Sequence, residues 1–340
     1  MTLDTKELVL KLTSIDGPSG YEDKVIEEIK NIMSPYVDET YITKTGSLIC
    51  KKNGTGKGKI GMLAHADQLG FVISKIDEKG YAYVSSIGGW DPKVIAGQRA
   101  KIYSQKGLFS GIFGFLAPHL QKSSERKKMP DLDGLFLDIS INDNWKDIQV
   151  GDIVTLDDVD GFEQNNFIFA PSLDNRASCA AIIKTAELLQ KMSHEYDVYF
   201  IFSTQEEIGG PGAPTSAYYC DLDYAFVIDV THGDENVPGY VKIKIGEGPA
   251  VGIGPVINKD FNKHVQDIAK KYNIKIQFEP IPRRSGTDTD AVQLVRKGIK
   301  TQLLSIPLKY MHTPVEKISI NDIENTAKLM TFSIMELEVQ

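Results

Sequence analysis

The stretch "DVYFIFSTQEEIGG", residues 197–210, decides the architecture of the chain. Its first half, Asp197 to Thr204, is a nearly continuous β-rich apolar run, the composition of a strand covered on both faces. Its second half sets Glu206 and Glu207 side by side where that run ends and a glycine turn begins. Strand neighbours point to opposite faces, so a pair at a strand end can serve two different jobs in one cleft. Alone, two adjacent glutamates would read as a solvated turn, with Gly209, Gly210 and Gly212 serving only its geometry.

Working outward, "LDYAFVIDVT" (222–231) is a second run of the buried-strand kind, and "KIGMLAHAD" (59–67) is a third that ends near His65. Between and after them come patterns of helical spacing. "NRASCAAIIKTAELLQKM" (175–192) has one broad apolar face. "FNKHVQDIAKKY" (261–272), "TDAVQLVRKG" (289–298) and a last helix from about Ile320 alternate with strand-like "IKIQFEP" (274–280) and "KTQLLSIPL" (300–308). Such alternation is the signature of an α/β layout. Near the start, Ser19 stands three residues before Glu22 and ahead of Val25, Ile26, Ile29, Ile32 and Met33, a capping-box pattern opening an amphipathic helix. From Gly70 to about Phe167 the texture changes to short strand-like runs broken by glycine and charge, which predicts a separate β-barrel or sandwich. The expected division is therefore an α/β unit of residues 1–67 plus 168–340, interrupted by a β insert of residues 68–167.

Composition narrows the function. A chain of 340 residues with 41% hydrophobic content can bury a large core, and its size favours two domains. The net charge of -8 comes from interspersed residues, which argues against nucleic acid or an anionic membrane as the main partner. No apolar run reaches about 18 residues and the first residues lack a signal-peptide pattern, so the expected location is the cytosol. Cys50, Cys179 and Cys220 are widely spaced and form no CxxC pair, so neither a disulfide framework nor a cysteine zinc site is expected.

Ligand sites in open α/β sheets gather at the carboxyl ends of strands. That is where the polar residues fall: His65 and Asp67 in "LAHAD", Asp174 in "PSLDN", Glu206 and Glu207 in "STQEE", Asp229 in "FVIDV" and His312 in "KYMHTPVE". Imidazoles with several carboxylates are ligands for zinc, cobalt or manganese, whereas calcium takes oxygen alone and structural zinc favours cysteine. Each residue has a plainer explanation. His65 or His312 alone would be a hydrogen-bonded core histidine, and Asp174 alone a helix N-cap. Asp229 is harder to dismiss, because a carboxylate inside an apolar strand needs a cation or hydrogen bonds. The joint pattern carries the reading, and it suits a catalytic metal pair.

The motifs "SGYE", "AHADQLGF", "IGGW", "APHL", "SLDNR", "QEEIG", "DVT", "SGTDTDA" and "YMHTPVE" stand in an order and spacing that resembles one family over nearly the whole chain. It is that of the zinc aminopeptidases that include glutamyl aminopeptidase, the so-called cellulase M proteins and the tetrahedral aminopeptidases. The chain departs from it at Ala66, Gln68 and Lys309, where members often carry methionine, glutamate and arginine.

The resemblance implies an aminopeptidase-like three-layer α/β/α domain with a mixed central sheet, interrupted by a β-barrel insert. It implies two divalent metal ions per chain, zinc by preference with cobalt or manganese as alternatives. Asp174 would bridge them, with His65 and Asp229 on one metal and Glu207 and His312 on the other. Asp67 would orient His65, Glu206 would be the general base, and Gly286, Thr287 and Asp288 would lie in the wall of the substrate cleft. The partners implied are short peptides and further copies of the chain, paired through the insert and assembled as a tetrahedral dodecamer.

Several residues read more plainly. Thr287 and Asp290 suit a helix cap, Arg283 and Arg284 suit the surface although they could meet an acidic side chain, and His119 in "FLAPHLQKSSERKKMP" suits an exposed loop. Two other functions compete with the peptidase. A glycoside hydrolase needs two carboxylates about 5 to 9.5 Å apart and no metal, which leaves the ligand set unexplained. A scaffold with a dead site is opposed by the complete ligand set and by Glu206.

Overall fold

The computed structural model describes residues 3–120, 132–157, 160–235, 238 and 241–338. At its centre the strands Asp197–Ser203, Lys59–His65, Tyr224–His232 and Lys300–Lys309 lie side by side and parallel. Leu48–Lys52 and Glu39–Ile42 extend this sheet antiparallel on one side, and Glu316–Ser319, Phe167–Ala170 and Phe162–Gln164 extend it on the other. Ala250–Ile253 and Gln277–Pro280 branch off Lys300–Lys309 and complete a mixed sheet of 11 strands.

The central strands are nearly continuous apolar runs because each face has its own core. Met62, Ala64, Phe200, Phe202, Phe226 and Ile228 face the helices Thr5–Thr13, Asp23–Met33, Leu173–Leu189, Lys259–Lys271 and Ile320–Met335. Leu63, Ile201, Ala225, Val227 and Leu303 face the other way, onto Gly212–Cys220 and Thr289–Val292. The alternation is the period of two of a strand, and each fully buried Leu or Phe contributes about 1.5–3 kcal/mol. A one-residue slip would exchange the two faces, so the register is firmly set. The result is the expected three-layer α/β/α arrangement. It also brings the carboxyl ends of the four parallel strands to one edge, with Ser203 opposite His65 and Asp229 opposite Ser305.

Between Gly70 and Leu156 the chain closes a barrel rather than a sandwich. Its order is Gly70–Ile76, Tyr81–Ile87, Phe136–Asp138, Gly107–Gly114, Arg99–Ser104 and Ile153–Leu156, which returns to pair with the first strand. Closure leaves no free edge, and the interior is filled by Phe71, Ile102, Phe113, Leu137 and Val154. Asp16, on the sheet side, accepts from Lys101 Nζ at 2.9 Å and from the Tyr103 hydroxyl, and ties the barrel to the α/β layers.

Two local patterns turn out to serve other ends. The helix Asp23–Met33 does begin after Glu22, but no side chain caps it. Ser19 Oγ donates instead to Asp67 Oδ2 at 2.6 Å, and Glu22 Oε1 accepts the backbone N–H groups of Gly20 and Gln205 at 2.8 and 3.0 Å. The segment read as a helix over 289–298 keeps that form only from Thr289 to Val292. There Thr287 Oγ1 takes the N–H of Thr289, while Asp290 takes those of Ser285 and Gly286 and ties down the preceding loop. His119 is exposed in a short turn, Pro118–Leu120, and the rest of its loop, 121–131, lies outside the described residues.

Candidate active site

Five segments of chain converge on the edge where the parallel strands end. His65 is the last residue of its strand and Asp229 lies near the end of Tyr224–His232. Asp174 opens the helix Leu173–Leu189, where its own φ/ψ and those of Asn175 are not yet helical. Asp174 is not an N-cap. Its two oxygens face two different imidazoles: Oδ1 stands 3.3 Å from His65 Nε2, and Oδ2 stands 3.4 Å from His312 Nε2. Asp229 Oδ1 lies 3.9 Å from His65 Nε2, and Glu207 Oε1 lies 3.6 Å from His312 Nε2. The donor atoms of His65, Asp174 and Asp229 lie within 4.8 Å of one another, as do those of Asp174, Glu207 and His312.

These separations can be tested against a metal. Ligands about 2.0–2.1 Å from one zinc ion at tetrahedral angles stand roughly 3.4 Å apart, which is the scale of the distances just given. Charge agrees. With all four carboxylates ionised and both imidazoles neutral, Asp174, Asp229, Glu206 and Glu207 would carry four negative charges, which two divalent cations would balance. Like charges about 4 Å apart repel by about 4 kcal/mol at an effective dielectric near 20, and the cluster shows that stress. Burial pushes Asp229 well above the usual carboxylate range and, with Asp174 beside it, raises Glu207 to about 8. Burial raises Glu206 as well. Asp174 alone is held low: burial opposes its charge, but hydrogen bonds with His312 and His65 outweigh that. His312 is raised to about 9 by its bond to Asp174. The donor set therefore fits a pair of divalent ions and is strained without positive charge.

The two glutamates are not strand neighbours, as their sequence position suggested. They form a single 3₁₀ turn, Glu206–Ile208, entered through Gln205 at φ 64° and left through Gly209 at φ 118°. Glu207 borders the cleft over the cluster and also an enclosed pocket shared with His312, Asp174, Trp90 and Leu69. Glu206 pairs with no imidazole as closely as Glu207 does with His312 among the described residues, but its donor atom lies within 4.8 Å of those of His65 and Glu207, and it borders both the cleft over the cluster and an adjoining cavity. Gly286 and Thr287 line the cleft with the cluster, and Asp288 lines the adjoining cavity with Thr287, Arg283 and Arg284. Gly88, in the barrel's "IGGW", stands at φ +79°, and a Cβ there would meet Leu69 at 2.2 Å and Glu207 Cβ at 3.3 Å. Gly89 O lies 3.1 Å from His312 Nδ1, so the barrel supports the far side of the cluster.

Buried carboxylates hold the ligands in turn. Asp67 is fully buried, lies 3.3 Å from His65 Nδ1, and accepts the N–H groups of Glu206 and Glu207 at 3.1 and 3.2 Å. Glu316 accepts the N–H of Asp174 and that of His312, both at 2.9 Å, and is 2% exposed. Ser203 Oγ donates to Asp288 at 2.9 Å. Sequence reasoning missed Glu316 and the partners of Ser19 and Glu22; both stretches, "SGYE" and "MHTPVE", were visible as motifs. Gln68 and Ala66 face the scaffold, not the cleft: Gln68 Oε1 takes N–H groups from Gly17 and Arg176, and Ala66 is buried in the main core.

A layered sheet with this cluster at its carboxyl edge and a barrel set beside it belongs to the aminopeptidase class of hydrolases. The chain is a member of the M42 glutamyl aminopeptidase family, whose model matches residues 46–329. It is 33% identical to the lysyl aminopeptidase of Pyrococcus furiosus over 341 residues, 98% of this chain and 97% of that one. Among solved structures it resembles a TET aminopeptidase of a marine-sediment Thaumarchaeota archaeon, with TM-score 0.92, 29% identity and coverage of 98% and 97%. It also resembles the Pyrococcus horikoshii TET1 peptidase, described as assembling into a tetrahedron or a large octahedral shell, with TM-score 0.86, 29% identity and coverage of 98% and 100%. The protein is thus a peptide hydrolase, which decides between the enzyme classes that the sequence left open.

Proposed function

We propose that the protein removes residues from the amino ends of short peptides using two divalent metal ions, zinc by preference with cobalt or manganese as alternatives. The observation that carries this is Asp174, whose two oxygens face His65 and His312 separately. Asp174, His65 and Asp229 would hold one ion, and Asp174, Glu207 and His312 would hold the other. When bound, the ions polarise the scissile carbonyl and lower the pKa of water from about 15.7 towards roughly 7. The chain's own residues do the rest. Glu206, held at the open side of the cleft, takes the proton of the attacking water and passes it to the departing amide nitrogen. Asp67 fixes the His65 ring through Nδ1, which leaves Nε2 for the metal, and Glu316 holds the backbone at Asp174 and His312. Gly286, Thr287 and Asp288 form the wall that receives substrate, beside a cavity of about 690 Å³. Exhaustive chelation should abolish hydrolysis of aminoacyl anilides, and zinc, cobalt or manganese should restore it; a metal-free protein with full turnover would overturn the proposal.

The chain is further proposed to divide into a catalytic unit of residues 1–67 and 168–340 and an insert of residues 68–167 that joins copies of the chain. The barrel exposes Leu108, Ile112, Ile141 and Val150, apolar surface that a protein partner would cover. The assembly described for the Pyrococcus horikoshii relative supports another copy as that partner, in a proposed dimer that builds a tetrahedral dodecamer admitting short or unfolded peptides. Light scattering should show a species larger than one chain at micromolar concentration, and a monomer would remove the proposal. No helix of the described residues is long and apolar enough to cross a membrane, and Cys50, Cys179 and Cys220 are free and buried. That usage suits a cytosolic enzyme.

A further inference from the structure

We infer that Glu22 is a positioning residue for the catalytic turn: it holds Gln205 in the left-handed conformation from which Glu206 and Glu207 depart. The inference rests on the reading of Glu206 as the general base. Glu22 is 5% exposed, and its Oε1 receives the N–H of Gln205 at 3.0 Å. Gln205 is not glycine, yet it stands at φ 64°, a conformation that persists only where the surroundings over-determine it. The next two N–H groups, of Glu206 and Glu207, end on Asp67, which Ser19 Oγ anchors at 2.6 Å. Three consecutive amides of the turn are thereby received by two buried carboxylates, both tied to the Ser19–Glu22 segment.

A carboxylate is costly to bury unless something requires it. The neighbouring helix does not, since Glu22 makes no side-chain cap bond to Asp23–Met33. What its Oε1 does is receive the N–H groups of Gly20 and Gln205 at 2.8 and 3.0 Å, and those bonds are what offset the burial of a polar group there. Without it, the half-buried Gln205 N–H would lose its acceptor, and the backbone would relax out of the left-handed region. The side chain most displaced would be Glu206, because Glu207 has His312 to hold it. Small misplacements of a catalytic group cost rate before they cost binding.

The test uses the full chain with its metals restored and leucine p-nitroanilide as substrate. Glu22→Ala should lower kcat by about tenfold to a hundredfold with KM within about twofold and metal content unchanged. Glu22→Gln keeps an oxygen for the two N–H groups and should recover most of the rate. In the metal-free protein, hydrogen exchange in the peptide covering residues 203–210 should be about tenfold faster in Glu22→Ala, with the helix Asp23–Met33 unchanged. Should Glu22→Ala not fold, Glu22→Asp, one methylene short of Gln205, carries the same test. Unchanged kcat, equal loss in Glu22→Ala and Glu22→Gln, or exchange that rises along the helix instead of the turn would each overturn the inference. An active Glu206→Gln variant would remove the reading of the base, and the exchange result would still decide whether Glu22 holds the turn.

Discussion

Asp174→Ala should bind neither metal ion and should lose nearly all peptide hydrolysis, by about a thousandfold or more. The expectation follows from geometry. Each oxygen of Asp174 belongs to a different imidazole, at 3.3 Å from His65 and 3.4 Å from His312, so one substitution removes a ligand from both sites at once. The remaining donors cannot compensate. His65 and Asp229 leave one site with two protein ligands, and Glu207 and His312 leave the other with two, below the three that catalytic zinc sites keep. The backbone should survive, because Glu316 holds the N–H of residue 174 and not its side chain. Elemental analysis and hydrolysis of an aminoacyl anilide check the result together. Two metals per chain in a folded Asp174→Ala protein would show that the carboxylate does not bridge, and substantial turnover would show that the metals lie elsewhere.

What could be read from sequence was what short-range patterns encode. The central strands are nearly continuous apolar runs because both of their faces are covered, and the polar residues towards their ends marked the edge where His65, Asp229 and the Glu206–Glu207 pair meet. The barrel's short runs gave its place in the chain but not its closure, which depends on Ile153–Leu156 returning to Gly70–Ile76. The contacts that misled were long-range ones behind local patterns. Ser19 and Glu22 satisfy the spacing of a capping box, yet their partners are Asp67, 48 residues away, and Gln205, 183 residues away. A buried acceptor beats a helix end at the surface, since the N–H groups of an exposed helix start can bond to water. Glu316 was hidden for the same reason: its partner Asp174 is 142 residues distant. The turn at Gln205 was not legible either, because a left-handed glutamine is not a sequence preference but a conformation imposed by Glu22 and Asp67.

The sharpest expected contrast lies between Glu206→Gln and Glu207→Gln, which differ by one position and should fail differently. Glu207 pairs with His312 on the enclosed side of the cluster. Glutamine there replaces an anionic ligand with a neutral one, so metal affinity should fall first and excess metal should restore part of the activity. Glu206 faces the open cleft and the adjoining cavity. Glutamine there keeps the size and the backbone bonds to Asp67 but removes the proton acceptor. Metal content and substrate binding should persist while turnover falls by about a hundredfold or more, the usual share of a general base. A base that was also a metal ligand could not separate these effects, so on the proposed roles the two substitutions must differ. Both variants are to be compared by metal content and by hydrolysis across a metal titration. If Glu206→Gln proved the metal-rescued protein and Glu207→Gln the metal-replete inactive one, the two roles would be exchanged; if both kept full activity, the chemistry would lie outside this cleft.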